Sequence, residues 1–600
     1  MKTIQQRIAA LRELMRKHNL NAYIVRGTDP HASEYMADHW KEITFISGFK
    51  GETGTVLVTT DKAFLWTDSR YYLQADKELT GTGVSLMRES DIDTPTIPQW
   101  LADNLSKGSI VGVNPEMFTV QGYKQLADEL SAESIGLKSI DLIKPLWTEG
   151  RPSIPQVPLY EYKAEHAGET TENKLQRVRE ELAKRKADTM VVSALDEIAW
   201  LLNIRGLDVE YNPVVISYLL LDKDRCTLFV SPKKVTNEAQ AYLDSQHITI
   251  RDYDDIFPTL NRLSDTSSVL FDGSRLNQAL YEALPVACKK TDVQSPVMLL
   301  KSVKNPVELE GERIAMRKDA VALTRFLRWL EEEAFAGGKT RTEYELMEKL
   351  HEYRMMGENF VTESFGTIAG YKGNGAIVHY EATKEDCAVV KPEGMLLLDS
   401  GGQYLDGTTD ITRTIWLGGE IPQQAKLDYT YVLKGHICLA MARFPRGTRG
   451  NQIDALAKQY MWKAGITYGH GTGHGVGHFL GCHEGPQNIR TDMNPAILQV
   501  GQICSDEPGI YRTDKWGVRI ENLVTVIPVE SKAAATTEDQ FLGWETLTLC
   551  YYDTQLIEMP LLTEEERQWL NNYHKRVADE ICPLLEKDDA EWLRNKCKTI

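Results

Sequence analysis

Apolar residues recur at helical spacing through "MKTIQQRIAALRELMRKHNL" and give way at "AYIV" to a short unbroken apolar run. Residues 7–25 therefore predict an amphipathic helix followed by a buried strand. The same order returns in "KLQRVREELAKRKADTMVV", residues 174–192. A matching piece follows each copy, "FISGFKG" (45–51) in the first and "WLLNIRG" (200–206) in the second. Short β-rich runs come next, "GTVLVTT" and "AFLWTD" against "VVISYLLL" and "TLFVS". Similarity that keeps its order predicts two related α/β domains. Between them lies "EGRPSIPQVP", whose Pro152, Pro155 and Pro158 suit a semi-rigid linker.

A third domain begins at a helix-start signal. Asn305 stands as N-cap, Pro306 in the first turn and Glu308 as the capping acid three residues on. Met316, Ala320, Leu323, Leu327 and Leu330 then share one face, and Gly337–Gly338 end the helix. The expected domains are residues 1–150, 151–304 and 305–600.

Four stretches of the third domain carry acids or histidines in settings that a solvated surface does not need. "GNGAIVHYEAT" sets His379 inside an apolar, strand-like run. "MLLLD" reads as a buried strand ending at Asp399, and "TDITRTIWL" returns as a second strand carrying Asp410. Adjacent strands would set those carboxylates side by side. "GQICSDEPGIYRTDKWGVRIENLVTV" carries Glu507 before a Pro-Gly turn and Glu521 in a strand. The fourth stretch, "YGHGTGHGVGHFLGCHEGP", holds His470, His474, His478 and His483. Its first three histidines have the i, i+4, i+8 spacing of a helical face. Glycines at 469, 471, 473, 475 and 477 oppose a helix, at about 1 kcal/mol each relative to alanine. The segment is expected to be extended or looped, with its backbone close to something.

Composition narrows the setting. Six hundred residues exceed one ordinary core and imply two to four domains. A hydrophobic fraction of 42 % and a charged fraction of 26 % are those of a globular chain. The net charge of −18 argues against nucleic acid or anionic membrane as partner. No apolar run approaches the roughly 18–20 residues of a membrane span, and the N-terminal stretch lacks the continuous apolar core of a signal peptide. A cytoplasmic location is the resulting expectation. The nine cysteines are scattered and never form C-x-x-C, as reduced structural thiols would be.

Clustered buried carboxylates repel unless something positive sits between them. Four carboxylates and one imidazole make an oxygen-rich donor set that suits Mn²⁺, Co²⁺ or Fe²⁺ better than a thiolate-loving ion. Two such ions bridged by carboxylates can hold and deprotonate a water.

The ordered set of motifs is more specific than any one of them. His379 comes first, then D-S-G…D at Asp399 and Asp410, then G-H-G-x-G-H at 469–474. H-E-G begins at His483, E-P-G at Glu507 and R-I-E-N at Arg519. This order resembles the metallopeptidases of the pita-bread (creatinase/prolidase-like) fold. It looks most like the three-domain cytosolic Xaa-Pro aminopeptidases, or aminopeptidase P. "WTDSRYYLQA", "LDEIAWLLNIRGLDVEYNPV" and "LTEEERQWLNNYH" extend the resemblance over essentially the whole chain.

The resemblance implies an α/β (α+β) chain, with two N-terminal creatinase-like α/β domains ahead of a C-terminal pita-bread metallopeptidase domain. It implies five metal ligands, Asp399, Asp410, His474, Glu507 and Glu521. They would hold two divalent ions, Mn²⁺ before Co²⁺, Fe²⁺ or Zn²⁺. It makes Glu507, His483 and His379 catalytic, and Arg70, His379, His470 and His483 substrate-binding, with a surface arginine as the alternative reading of Arg70. The implied activity is release of the first residue from short peptides with proline second, by attack of a hydroxide bridging the metals. A homodimer is implied as well. His478 is read as a polar neighbour, Asp406 and Asp506 stay outside the ligand set, and Arg519 is placed to pair with a ligand carboxylate. Competing readings are a prolidase confined to dipeptides and a creatinase acting without metal. A non-catalytic peptide-binding relative and a methionine aminopeptidase complete them. The complete ligand set, the two extra domains and the absence of a long acidic tail weigh against them.

Overall fold

The internal repeat is present as two six-stranded mixed sheets of identical order. The computed structural model describes residues 2–51, 53–89, 91–530 and 540–600. The chain forms two compact units, Met1–Tyr162 with Glu169–Val297, and Lys163–Gly168 with Met298–Ile600.

In the first unit, the helix Ile4–Lys17 precedes Ala22–Arg26 (β1). The strands Thr55–Thr59 (β2), Ala63–Thr67 (β3), Ser85–Arg88 (β4), Ile110–Val113 (β5) and Gly136–Ser139 (β6) complete a sheet ordered β4-β3-β2-β1-β5-β6. β1 is central, antiparallel to β2 and parallel to β5. A strand with neighbours on both sides and cover on both faces needs apolar residues throughout, which explains the unbroken "AYIV". The second copy runs Thr189–Val192 (β7), Ser217–Asp222 (β8), Cys226–Val230 (β9), Ile248–Arg251 (β10), Ser268–Phe271 (β11) and Lys289–Asp292 (β12). Its order is β10-β9-β8-β7-β11-β12, with the same parallel and antiparallel pairings strand for strand. Within this unit the copies meet through reciprocal backbone bonds, Val120 N–H to the Leu276 carbonyl (2.9 Å) and Gln278 N–H to the Phe118 carbonyl (2.7 Å).

The longest helix of the second unit is Pro306–Glu332. Asn305 accepts the N–H groups of Val307 and Glu308, and Glu308 accepts that of Asn305, the reciprocal cap expected from the sequence. Met316, Ala320, Leu323, Leu327 and Leu330 are all buried. The helix stops at Glu332, earlier than the glycine pair suggested. Gly337, at φ +70°, instead lies in the short 3₁₀ turn that follows. The core of this unit joins that helix to the strands around Leu396 and Leu398 and to the helices Gln423–Ala440 and Glu564–Ile581. All nine cysteines are thiols outside any disulfide. Among the described residues no helix is long and apolar enough to cross a membrane.

Candidate metal centre

Two sheets of the second unit supply the acidic side chains. Met395–Ser400 (β13) lies between Ile368–Tyr371 and Ile411–Trp416 (β14), with Asp399 opposite Thr412. Asp410 stands immediately before β14 rather than within it. Ile503–Asp506 (β15) ends one residue short of Glu507, and Pro508 then breaks the strand. Glu521 was expected in a strand but falls in the gap between Trp516–Arg519 and Asn522–Val529 (β16). Its N–H donates to the Thr412 carbonyl at 3.1 Å, so the break turns Glu521 onto β14. His379 is also displaced from its expected strand. It occupies a turn after the 3₁₀ segment Lys372–Ala376, where "GNG" bends the chain, and it is half-buried.

The glycine–histidine stretch is extended, as its composition required. Gly473–His474 pairs with Asn488–Ile489. A Cβ at Gly473 would overlap the Ser505 carbonyl, and one at Gly475 the Glu484 carbonyl. The alternating glycines let this segment press against β15. The close approach places Ser505 Oγ 2.9 Å from the His474 N–H, and the same hydroxyl donates to Glu507 Oε1 at 3.1 Å.

Side chains from four segments converge here. Ligand atoms of Asp410, His474 and Glu521 lie within 4.8 Å of one another. His474 Nε2 is 3.3 Å from Asp410 Oδ2 and 3.5 Å from Glu507 Oε1. His474 Nδ1 lies 2.9 Å from the Gly475 carbonyl, an arrangement that puts the proton on Nδ1 and leaves the Nε2 lone pair facing the acids. Glu521 Oε2 accepts the Thr412 hydroxyl at 2.8 Å. Asp399 Oδ2 accepts from Arg519 Nη2 at 2.6 Å, while buried Asp399 Oδ1 has no hydrogen-bond partner among the described residues.

The charges are in conflict. Burial, reinforced by Asp410 and Asp399, pushes the Glu507 carboxyl up to about 7 against the pull of His474 and Arg519. Burial and the neighbouring Asp410, Glu507 and Asp399 raise Glu521 well above the usual carboxylate range. Asp399 is raised by burial and by Asp410, with Arg519 opposing. For Asp410 burial acts upward but is outweighed by the hydrogen bond and charge of His474, so it is lowered. An orphaned buried oxygen, mutually repelling acids and one imidazole with its lone pair turned inward fit a divalent cation pair.

His470 lies beside this set. Its Nε2 accepts the Tyr511 hydroxyl at 2.7 Å, and its Nδ1 is 4.0 Å from Glu507 Oε2. His483 is solvent-exposed, with its ring perpendicular to that of His474 at a centroid distance of 4.3 Å. Arg70 lies in the first unit, where Asp68 holds its guanidinium through Nε at 2.8 Å and Nη2 at 2.7 Å. His478 meets Glu312 Oε1 at 3.0 Å and the His166 carbonyl at 3.2 Å. Asp406 pairs with Lys318 at 2.5 Å, and Asp506 with His436 at 3.2 Å.

Reading by motif passed over the side chains that hold the candidate ligands. Thr412 grips Glu521, Ser505 grips Glu507 and the backbone of His474, and Cys482 Sγ lies 3.2 Å from Asp410 Oδ2. Tyr511 joins Arg519 to His470. Period-2 alternation carried part of this signal, since Thr412 and Thr414 share one side of β14 and Ser505 is two residues from Glu507.

Comparison with known proteins gives the same picture. Residues 310–528 match the signature of metallopeptidase family M24, and residues 540–600 match its C-terminal region. Residues 7–143 and 150–308 each match the creatinase/prolidase N-terminal domain. Xaa-Pro aminopeptidase 1 of Dictyostelium discoideum is 38% identical over 97% of this chain and 94% of its own length. The chain belongs to the Xaa-Pro aminopeptidases of metallopeptidase family M24. Aminopeptidase P2 of Arabidopsis thaliana is likewise 38% identical, over 97% of this chain and 86% of its own. X-prolyl aminopeptidase from Caenorhabditis elegans, described as a cytosolic enzyme with a di-nuclear active site, superposes with a TM-score of 0.95. It is 34% identical and covers 100% of both chains. The fold is therefore the family's, two creatinase-type α/β domains ahead of a pita-bread domain.

Proposed function

We propose that this chain is a metal-dependent aminopeptidase releasing the N-terminal residue from short peptides with proline at position 2. The carrying observation is the convergence of Asp399, Asp410, His474, Glu507 and Glu521, in a chain whose full-length relatives are named Xaa-Pro aminopeptidases. These five side chains would hold two divalent ions, Mn²⁺ first among them. When bound, such ions polarise a carbonyl and bring the pKa of a bound water toward neutrality.

The residues then divide the work. Glu507, beside His474 at the centre, would take a proton from water and return it to the leaving nitrogen. Ser505 and the Glu507 N–H, which donates to the Thr472 carbonyl at 2.8 Å, hold that carboxyl in place. His483, exposed beside His474, would donate to the developing oxyanion. His470 and His379 would line the substrate pocket, and Arg70 would meet the bound peptide. The substrate's free amino group would sit by the metal site, which would restrict cleavage to the first bond. Proline's nitrogen carries no N–H and its ring fixes φ, so acceptance of the second residue cannot rely on that donor. We further propose domain limits near residues 150 and 304, a homodimer and a cytoplasmic location. The location draws support from the cytosolic description of the nematode enzyme.

The test uses chelator-stripped protein with an X-Pro-Pro tripeptide and its X-Ala-Pro analogue, with and without Mn²⁺. Release of the first residue from X-Pro-Pro alone, dependent on Mn²⁺, is the expected result. Cleavage confined to X-Pro dipeptides would make the chain a prolidase. No hydrolysis under any divalent metal would leave only a binding role.

A further inference from the structure

Arg413, next to Thr412 on β14, is 3 % exposed and has no carboxylate among its hydrogen-bond partners in the described residues. A buried guanidinium costs several kcal/mol in desolvation unless its donors are met. Here they are met by neutral oxygens. Nη1 donates to the carbonyls of Thr412 (3.0 Å) and Glu521 (2.7 Å). Nη2 donates to Asn522 Oδ1 (2.9 Å), the Cys550 carbonyl (2.7 Å) and the Tyr573 hydroxyl (3.2 Å). Nε donates to the Tyr551 carbonyl at 3.0 Å, and the cation sits 4.5 Å over the Tyr552 ring.

The partners fall into two groups. Thr412, Glu521 and Asn522 belong to the metal-centre segments, whereas Cys550, Tyr551, Tyr552 and Tyr573 belong to the C-terminal region beyond residue 540. A second thread joins the same two groups. The Tyr552 hydroxyl accepts from Asn522 Nδ2 at 2.7 Å and lies 2.9 Å from His436 Nε2. His436 in turn pairs with Asp506, the residue before Glu507. The backbones beside two glutamate ligands are thus tied to one cluster, and the tail supplies half of it.

We propose that Arg413 is a positioning residue through which the C-terminal region sets the metal affinity of the centre, by fixing the backbone at Glu521. The proposal rests on the metal-centre reading above. Lysine cannot replace it, because three donors on a point charge cannot span the carbonyls of Glu521 and Cys550 and the Asn522 amide together.

The test is Mn²⁺ titration calorimetry on full-length, chelator-stripped protein carrying Arg413→Lys, Tyr573→Phe or Leu570→Ala. Leu570 is a fully buried core residue on the Tyr573 helix and serves as the control for plain destabilisation. Arg413→Lys is expected to weaken Mn²⁺ binding by about 10–100-fold, the usual cost of losing a partner that orients a ligand. Tyr573→Phe is expected to weaken it less. For both, KM at saturating Mn²⁺ stays unchanged, and Leu570→Ala lowers the metal-free melting temperature at unchanged Mn²⁺ affinity. If Arg413→Lys and Tyr573→Phe behave as Leu570→Ala does, Arg413 is structural only and the inference is overturned. If Arg413→Lys does not fold, an unchanged affinity in Tyr573→Phe alone overturns it. Wild-type protein that binds Mn²⁺ but releases nothing from X-Pro-Pro would sink the proposed activity, while the titrations would still decide the role of Arg413.

Discussion

Arg519 Nη2 lies 2.6 Å from Asp399 Oδ2, with both side chains buried, while Arg519 Nη1 donates to the Tyr511 hydroxyl at 2.8 Å. One guanidinium thus steadies a candidate ligand and, through Tyr511, the His470 ring. Arg519→Met should lower metal-free stability by about 3–5 kcal/mol, the cost of stranding a buried charge. Asp399 can escape by taking a proton. The loss should therefore be greatest at alkaline pH and shrink as pH falls. Urea unfolding of both proteins at two pH values measures it, and a pH-independent difference would contradict this account.

Metal and pH should be linked with a defined sign. Glu507 is raised to about 7 and Glu521 is raised well above the usual range, both mainly by burial. A carboxylate raised in the folded state is more stable there protonated, so the metal-free protein loses stability at this site as pH rises from about 4.5 through 7. Cations bind only the deprotonated ligands and release those protons. The rise in melting temperature on adding Mn²⁺ should therefore grow between pH 5 and pH 8. An equal rise at both would argue against protons and metal competing for these glutamates.

Glu507→Gln should reduce turnover by about 10²–10⁴, the usual weight of a positioned general base. The amide keeps the volume and one acceptor, so the melting temperature without metal should not fall. Steady-state kinetics on the tripeptide, paired with a thermal melt, separates lost chemistry from lost folding.

Much of this centre was legible in the sequence because strand periodicity and glycine chemistry are local. "MLLLD" is buried on every residue of its strand, and the glycine alternation at 469–477 gave an extended segment where histidine spacing alone suggested a helix. Non-local features were hidden. Glu521 sits in a strand break because its N–H is claimed by Thr412, more than a hundred residues earlier in the chain. His379 lies in a turn because the preceding glycines coil into a 3₁₀ segment. Arg413 looked like any strand residue, since its partners are carbonyls and hydroxyls brought in by the tail.

Gly473→Ala tests the close approach of the glycine loop. The added methyl would overlap the Ser505 carbonyl, and backbone cannot yield as a side chain does. A cost of about 1–3 kcal/mol is expected for such overpacking. Mn²⁺ affinity should drop with it, because Ser505 holds both His474 and Glu507. The same substitution at Gly469, where a Cβ would meet nothing within 4 Å, should leave both quantities alone.

The second unit takes in residues Lys163–Gly168 before the chain returns to it at Met298. That short visit supplies the His166 carbonyl to His478 and the Ala167 carbonyl to the Asn305 amide that caps the first long helix. The catalytic half is therefore not a contiguous interval of the gene. A truncation begun at residue 305 would remove two acceptors from beneath the histidine loop and the helix cap. Any transplant of this half into another protein must carry residues 163–168 along with it.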